Sequence, residues 1–179
     1  MVDPGHGGHS YGTSGGNIPE KRLALTYGLL LRDQLEALGA TVVMTRTADS
    51  DLSLLERTQI TRPTGADLFL SIHMDGSTSA SVGGCSVHYF TDYSRGIAES
   101  MYKEMTAVYA AYGSKHNRHY RWNPFEVTRI SEMPALLLEC GFMTNAEDLE
   151  LLVTPDFQDA LMASVAKAVV AYAQSLPKM

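Results

Sequence analysis

VDPGHGG, residues 2–8, decides how this chain is read. A short apolar lead-in that ends in Asp3-Pro4-Gly5-His6 is a strand stopped abruptly, with an imidazole held at its carboxyl end. In open α/β sheets that end of a strand is where ligands and chemistry sit. A glycine-rich polar turn, HSYGTSGGN (9–17), follows, and Ile18-Pro19-Glu20 then opens an amphipathic helix. Two later segments repeat the arrangement. LFLSIHMD (68–75) ends an apolar strand with His73, and PALLLECGF (134–142) ends one with Glu139. Three strand ends and one helix start thus carry two histidines and two glutamates, enough for a metal site and a general base.

Outward from these strands, apolar spacing predicts a helix over 20–38 (Leu23, Tyr27, Leu30, Leu31, Leu35, Leu38) that Gly39 stops. Ser53 and Glu56 form a capping box before a short helix that Pro63 ends. Ile97, Met101, Met105, Val108 and Tyr112 mark a third helix, stopped at Gly113. Asn145 caps AEDLELL, and Thr154-Pro155 starts the last helix, striped by Phe157, Leu161, Val165, Ala168 and Tyr172. Between them lie β-rich runs: TVVMTR (41–46), LFLSIHM (68–74), CSVHYF (85–90), FEVTRI (125–130) and ALLLEC (135–140). Strand and helix alternate, and the apolar runs suit burial on both faces. The expectation is one α/β domain over residues 1–179, with a mainly parallel twisted central sheet and helices on both faces. CSVHYF and FEVTRI alternate more than the others and are expected as edge or antiparallel strands.

The bulk numbers narrow the function. The chain has 179 residues, 45% of them hydrophobic, which is enough for a core. Its formal charge is −6, from 14 basic and 20 acidic residues, with no basic block. That speaks against nucleic acid or an anionic membrane as the main partner. No apolar run approaches the ~20 residues of a membrane span. No signal peptide is read in these residues, and only Met1 and Val2 precede Asp3, where a strand usually takes ~5 residues. Missing upstream residues are expected, and with them the natural address. Cys85 and Cys140 fall in apolar strand-like segments and read as buried thiols; a disulfide requires their strands to be neighbours.

Each candidate has a plain reading beside the functional one. His6 sits between Pro4-Gly5 and Gly7-Gly8, a setting that places one side chain in an open pocket. Glu20 complements a helix N-terminus as any glutamate would, or presents a carboxylate ligand from the first turn. His73 directly follows an apolar strand, and Gly76, Ser77 and Ser79 turn the chain to solvent after it. Glu139 interrupts an apolar strand, where an unpaired carboxylate is costly unless a cation is near or its pKa rises to make it a base. His9, His88, His116 and His119 are weaker candidates, and Asp75 is placed to support the site behind His73.

DPGHGG, Glu20 before Lys21, VVMTRTADSDLSLLER, ADLFLSIHMDG and PALLLECGFMTN together resemble the zinc-dependent N-acetylmuramoyl-L-alanine amidases of the Amidase_3 class, cell-wall hydrolases of bacteria, spores and phages. The resemblance spans essentially the whole chain in order. It implies one Zn²⁺ held by His6, Glu20 and His73, with Glu139 as the catalytic carboxylate. It implies peptidoglycan as partner and an extracellular, periplasmic or cell-wall address for the full-length protein. The residue chemistry alone equally serves a zinc peptidase. The chain departs from the family pattern at Asp75, where Asn is usual, and at Thr61-Arg62, where Ala-Asn is usual. The stretch 89–101 is too short for the inhibitory helix some members carry. The loop Ser114–Asn123 is unusually basic and aromatic. Arg118, Arg121 and Trp122, with Asp75, are therefore candidate substrate contacts, the loop being expected at the rim of the zinc cleft; a solvated connector is the alternative. No wall-binding repeat is present, so targeting falls to a flanking segment, an unseen regulator or the groove itself.

Overall fold

β4 (Phe69–Asp75) and β7 (Ala135–Phe142) lie side by side and parallel, with His73 opposite Glu139. The structure is a computed structural model and describes residues 1–114 and 119–176. Around this pair runs a five-stranded sheet in the order β1-β4-β7-β5-β6, with β1 at Val2–Pro4, β5 at Ser86–Tyr89 and β6 at Tyr120–Trp122. Three of its pairings are parallel; the β5–β7 pairing is antiparallel, so β5 and β6 run against the other three strands. A two-stranded ribbon, β2 (Ser14–Gly15) with β3 (Ile18–Pro19), closes the loop before the first helix. The helices are α1 (Glu20–Ala37), α2 (Leu54–Thr61), α3 (Arg95–Ala111), α4 (Ala146–Leu152) and α5 (Pro155–Ser175).

Local chemistry explains most of these boundaries. Ser53 and Glu56 form the complete capping box of α2, and the Asn145 side chain accepts from the Asp148 amide to start α4. Pro155 occupies the first position of α5, where its missing N–H costs nothing.

Strand alternation divides the sheet into two faces. Leu70, Ile72, Met74, Leu136, Leu138, Cys140, Val87 and Tyr89 pack against α1, α3 and α5 through Tyr27, Leu31, Met101, Met105, Tyr109, Phe157 and Val165. The registers put Asp3, Ser71, His73, Glu139, Ser86, His88 and Arg121 on the other face. Only the part of that face away from the strand carboxyl ends is apolar, where Phe69, Ala135 and Leu137 meet Val127, Ile130 and Met133.

Two expected strands are not strands. TVVMTR makes only a single parallel bridge, Met44 to Val2, with the Val2 amide on the Val43 carbonyl at 2.8 Å. β1 is three residues long and ends in Pro4, which has no N–H to continue a ladder, and Arg46 turns inward instead. FEVTRI forms a 3₁₀ turn at Val127–Arg129. It follows Pro124, and the Thr128 hydroxyl donates back to the Asn123 and Phe125 carbonyls at 2.7 and 2.9 Å. The sheet edge is instead β6, inside the basic aromatic segment. β5 is the antiparallel strand expected of CSVHYF. Cys85 immediately precedes β5 and Cys140 lies on the neighbouring β7, yet both are free, buried thiols, and burial pushes Cys85 up to about 12.

Candidate active site

At the carboxyl end of β1 the chain turns into the left-handed region at His6, with φ 56°. Among the described residues it is the one non-glycine residue with positive φ, a conformation that needs outside support. Two buried arginines supply it. Arg57, from α2, donates to Asp3 Oδ1 (2.6 Å), the Pro4 carbonyl (2.8 Å) and the His6 carbonyl (2.6 Å). Arg46 donates to the Pro4, Gly5 and Lys21 carbonyls at 2.9, 2.7 and 3.0 Å. Asp3 balances the charge and is itself held by Ser71 Oγ (2.7 Å) and Thr45 Oγ1 (2.5 Å). Three successive carbonyls are thereby fixed, and the His6 ring leaves the strand end in one direction. Its Nδ1 meets Ser10 Oγ at 2.8 Å, which leaves Nε2 to face Glu20.

Glu20 opens α1 and is almost fully buried. The amides of Thr13 and Met74 donate to its two oxygens at 2.8 and 3.1 Å. His6 Nε2 lies 3.1 Å from Oε2 and His73 Nδ1 2.8 Å from Oε1. Burial alone would raise the Glu20 pKa, but the hydrogen bonds from His6 and His73 outweigh it and hold the carboxyl at about 2. The His6 and His73 rings meet edge to face at 4.9 Å. Two glycines make room for this packing: a Cβ on Gly5 would strike the His73 ring, and one on Gly12 would strike Glu20 and His6.

One ring nitrogen of each histidine and one Glu20 oxygen lie within 4.8 Å of one another. Two imidazoles and one carboxylate, all fixed by neighbours, are the donor set of a catalytic zinc site with a position left for water. Glu139 stands beside this set, one strand over from His73. Burial first, then the charges of Asp75 and Glu20, raise its pKa well above the usual carboxylate range. Its Oε2 is buried without a hydrogen-bond partner. All four residues open onto one cavity of about 470 Å³, also lined by Thr13, Asp75, Ser77 and Thr144.

The sequence candidates His6, Glu20, His73, Glu139 and Asp75 therefore share one cavity. Arg121 and Trp122 lie on β6, two strands from Glu139 and outside the cavity lining; Arg121 is on the Glu139 face and Trp122 stacks near Phe90 at 5.5 Å. Arg118 lies outside the described residues. Arg46 and Arg57 were not singled out by the sequence. Nothing in their local pattern signals burial, because the strand-end and Lys21 carbonyls that hold them lie 25 to 53 residues away in the chain.

The profile of the family described as N-acetylmuramoyl-L-alanine amidase, Amidase_3, matches residues 1–171. The chain is 32% identical over 172 residues to the N-acetylmuramoyl-L-alanine amidase LytC of Bacillus subtilis, covering 96% of this chain and 35% of LytC. It is 30% identical to the germination-specific N-acetylmuramoyl-L-alanine amidase of the same organism, covering 96% of this chain and 78% of that protein. The chain thus spans about a third of the first of these relatives. The crystal structure of an N-acetylmuramoyl-L-alanine amidase from Clostridium difficile 630 superposes with a TM-score of 0.92 at 31% identity, covering 98% of this chain and 96% of that one.

Proposed function

The chain belongs to the Amidase_3 family of N-acetylmuramoyl-L-alanine amidases, and we propose that it is a zinc-dependent cell-wall hydrolase. The bond is the amide between the lactyl carbonyl of N-acetylmuramic acid and L-alanine of the peptidoglycan stem peptide. The observation that carries this reading is the convergence of His6, Glu20 and His73 beside Glu139 in one open cavity. Zinc, when bound, polarises the scissile carbonyl and lowers the pKa of water at the site. His6 and His73 each offer a ring nitrogen and Glu20 an oxygen. The Thr13 and Met74 amides keep the Glu20 carboxylate in place, and Ser10 holds the far nitrogen of His6. Glu139 takes the proton from the attacking water and hands it to the leaving amine. A raised pKa suits a group that must accept a proton and then release it near neutrality.

Asp75 lines the cavity and is a candidate for holding the stem peptide. Arg121 continues the catalytic face of the sheet and offers a positive charge to peptide carboxylates; Trp122, largely exposed, offers a ring to glycan. No described helix is long and apolar enough to cross a membrane, and the proposed place of action is the cell wall. The test is mass spectrometry of peptidoglycan digested by the purified protein with zinc. Free stem peptides with L-alanine amino termini and intact glycan strands are expected. New amino termini within the stem or its cross-links would mark a zinc peptidase instead.

A further inference from the structure

Arg46 and Arg57 hold His6 from the strand side; the turn that follows it is held by a different set of side chains. His6, Gly7 and Gly8 have φ of 56°, 130° and 54°, three successive residues with positive φ. Two of them are glycines, so this backbone does not fix itself and depends on outside contacts. Gly7 and Ser10 close the turn with paired bonds, each amide donating to the other's carbonyl at 3.0 Å. Asp49 and Asp51, in the loop before α2, grip the turn from outside the cavity. Asp49 Oδ1 accepts from the Gly8 amide at 2.7 Å, and Asp51 Oδ1 from the His9 amide at 2.5 Å. Lys21 Nζ donates to the Gly8 carbonyl and to Asp49 Oδ2, both at 2.7 Å, and Asp51 Oδ2 meets His9 Nδ1 at 2.6 Å. The fit is close: a Cβ on Gly7 would strike the Ser50 carbonyl, and one on Gly8 the Asp51 carboxylate.

Bonds from Lys21 and then the Gly8 amide hold the Asp49 carboxyl below the usual carboxylate range, and those from His9 do the same for Asp51, so both accept as anions. Their grip reaches the metal site through Ser10. A histidine that gives Nε2 to a metal carries its hydrogen on Nδ1, and the oxygen that accepts this hydrogen sets the orientation of the ring. For His6 that oxygen is Ser10 Oγ, 2.8 Å away, on the residue that ends the gripped turn. We propose that Asp49 and Asp51 are positioning residues for His6: through the Gly8 and His9 amides they fix the Gly7–Ser10 turn, and the Ser10 hydroxyl then aims the His6 ring at the ion. Two half-exposed carboxylates outside the cavity thereby set how tightly the site holds zinc.

The inference rests on His6 as a zinc ligand, and the experiment separates the two. Wild type, Asp49→Ala/Asp51→Ala and Asp49→Asn/Asp51→Asn are compared by zinc Kd from chelator competition, by the Tm of the zinc-free protein and by amide hydrogen exchange of the zinc-free protein. The double alanine variant should bind zinc about 10- to 100-fold more weakly. Its zinc-free Tm should stay within about 4 °C of wild type, because both side chains are half exposed. The asparagine variant keeps an oxygen for each amide and should recover most of the affinity. Without zinc, the Gly7 and Ser10 amides bond to each other and not to the aspartates, so their exchange reads whether the grip is transmitted. It should quicken about 10-fold or more in the double alanine variant. A wild-type zinc Kd in the double alanine variant, asparagines that restore nothing, or unchanged exchange at Gly7 and Ser10 would overturn the inference. A wild-type protein that takes up no zinc would strike the hydrolase reading instead, and the exchange rates would still decide whether Asp49 and Asp51 hold the turn.

Discussion

On β7, neighbouring residues serve opposite faces of the sheet. Leu138 points into the layer built by α1, α3 and α5, and Glu139 points to the side that carries His73, Ser86 and Asp3. The first face is held mainly by burial of apolar area, with the Tyr27 and Tyr109 hydroxyls donating to the Leu152 and Cys140 carbonyls. The second buries charges and answers nearly every one: Asp3 by Arg57, Ser71 and Thr45, and Glu20 by two histidines and two amides. Glu139 is left with a raised pKa and an unpartnered oxygen. Apolar packing is concentrated on one face and the site's chemistry on the other, and a step of one residue separates them.

The contrast is broken most forcefully at Glu139, Arg57 and Leu138. Glu139→Ala should lower the hydrolysis rate by about 10³-fold or more, read as stem-peptide release, because it removes the general base. Its Tm should hold or rise, since a poorly solvated carboxyl is lost. Arg57→Ala leaves Asp3 buried without its cation and frees the His6 carbonyl. Denaturant unfolding should show a loss of about 3–5 kcal/mol. Leu138→Ala should cost about 2–5 kcal/mol by the same measurement, yet leave the zinc affinity and the rate per folded molecule close to wild type.

A smaller effect comes from His88, which is buried on the polar face of the sheet. Its folded pKa is about 4 against an ordinary 6.5, so between those values the unfolded chain binds a proton that the native chain does not. Stability therefore falls as pH falls through that window. His88→Gln should flatten the fall, by up to about 3 kcal/mol between pH 6.5 and pH 4, in Tm or denaturant midpoints. The smallest effect belongs to the edge strand: Arg121→Ala should raise the apparent KM a few-fold at low salt and weaken its salt dependence, with kcat nearly unchanged.

The polar members of the site were legible because each interrupts or ends an apolar run. His6 after Asp3-Pro4-Gly5, His73 after Ile72 and Glu139 between Leu138 and Cys140 have no reason to stand there as core. Helix starts were legible for a similarly local reason, since Ser53 with Glu56 and Asn145 satisfy backbone donors within one turn. What depends on partners far along the chain was not legible. FEVTRI has strand composition, but Pro124 and the Thr128 hydroxyl win locally, and β6 forms in a segment without an apolar pattern because an edge strand has one neighbour to satisfy. The carbonyl-binding work of Arg46 and Arg57, and the pairing of Ser86 opposite Glu139, follow from register and tertiary packing rather than from any window of sequence.

Metal analysis of purified wild-type, Glu139→Ala and His73→Ala proteins tests the division between holding the ion and moving the proton most directly. The account predicts about one zinc per chain in the wild type and in Glu139→Ala, and a large loss in His73→Ala. Zinc lost from Glu139→Ala but kept by His73→Ala, or a wild-type protein that takes up none when zinc is supplied, would contradict it.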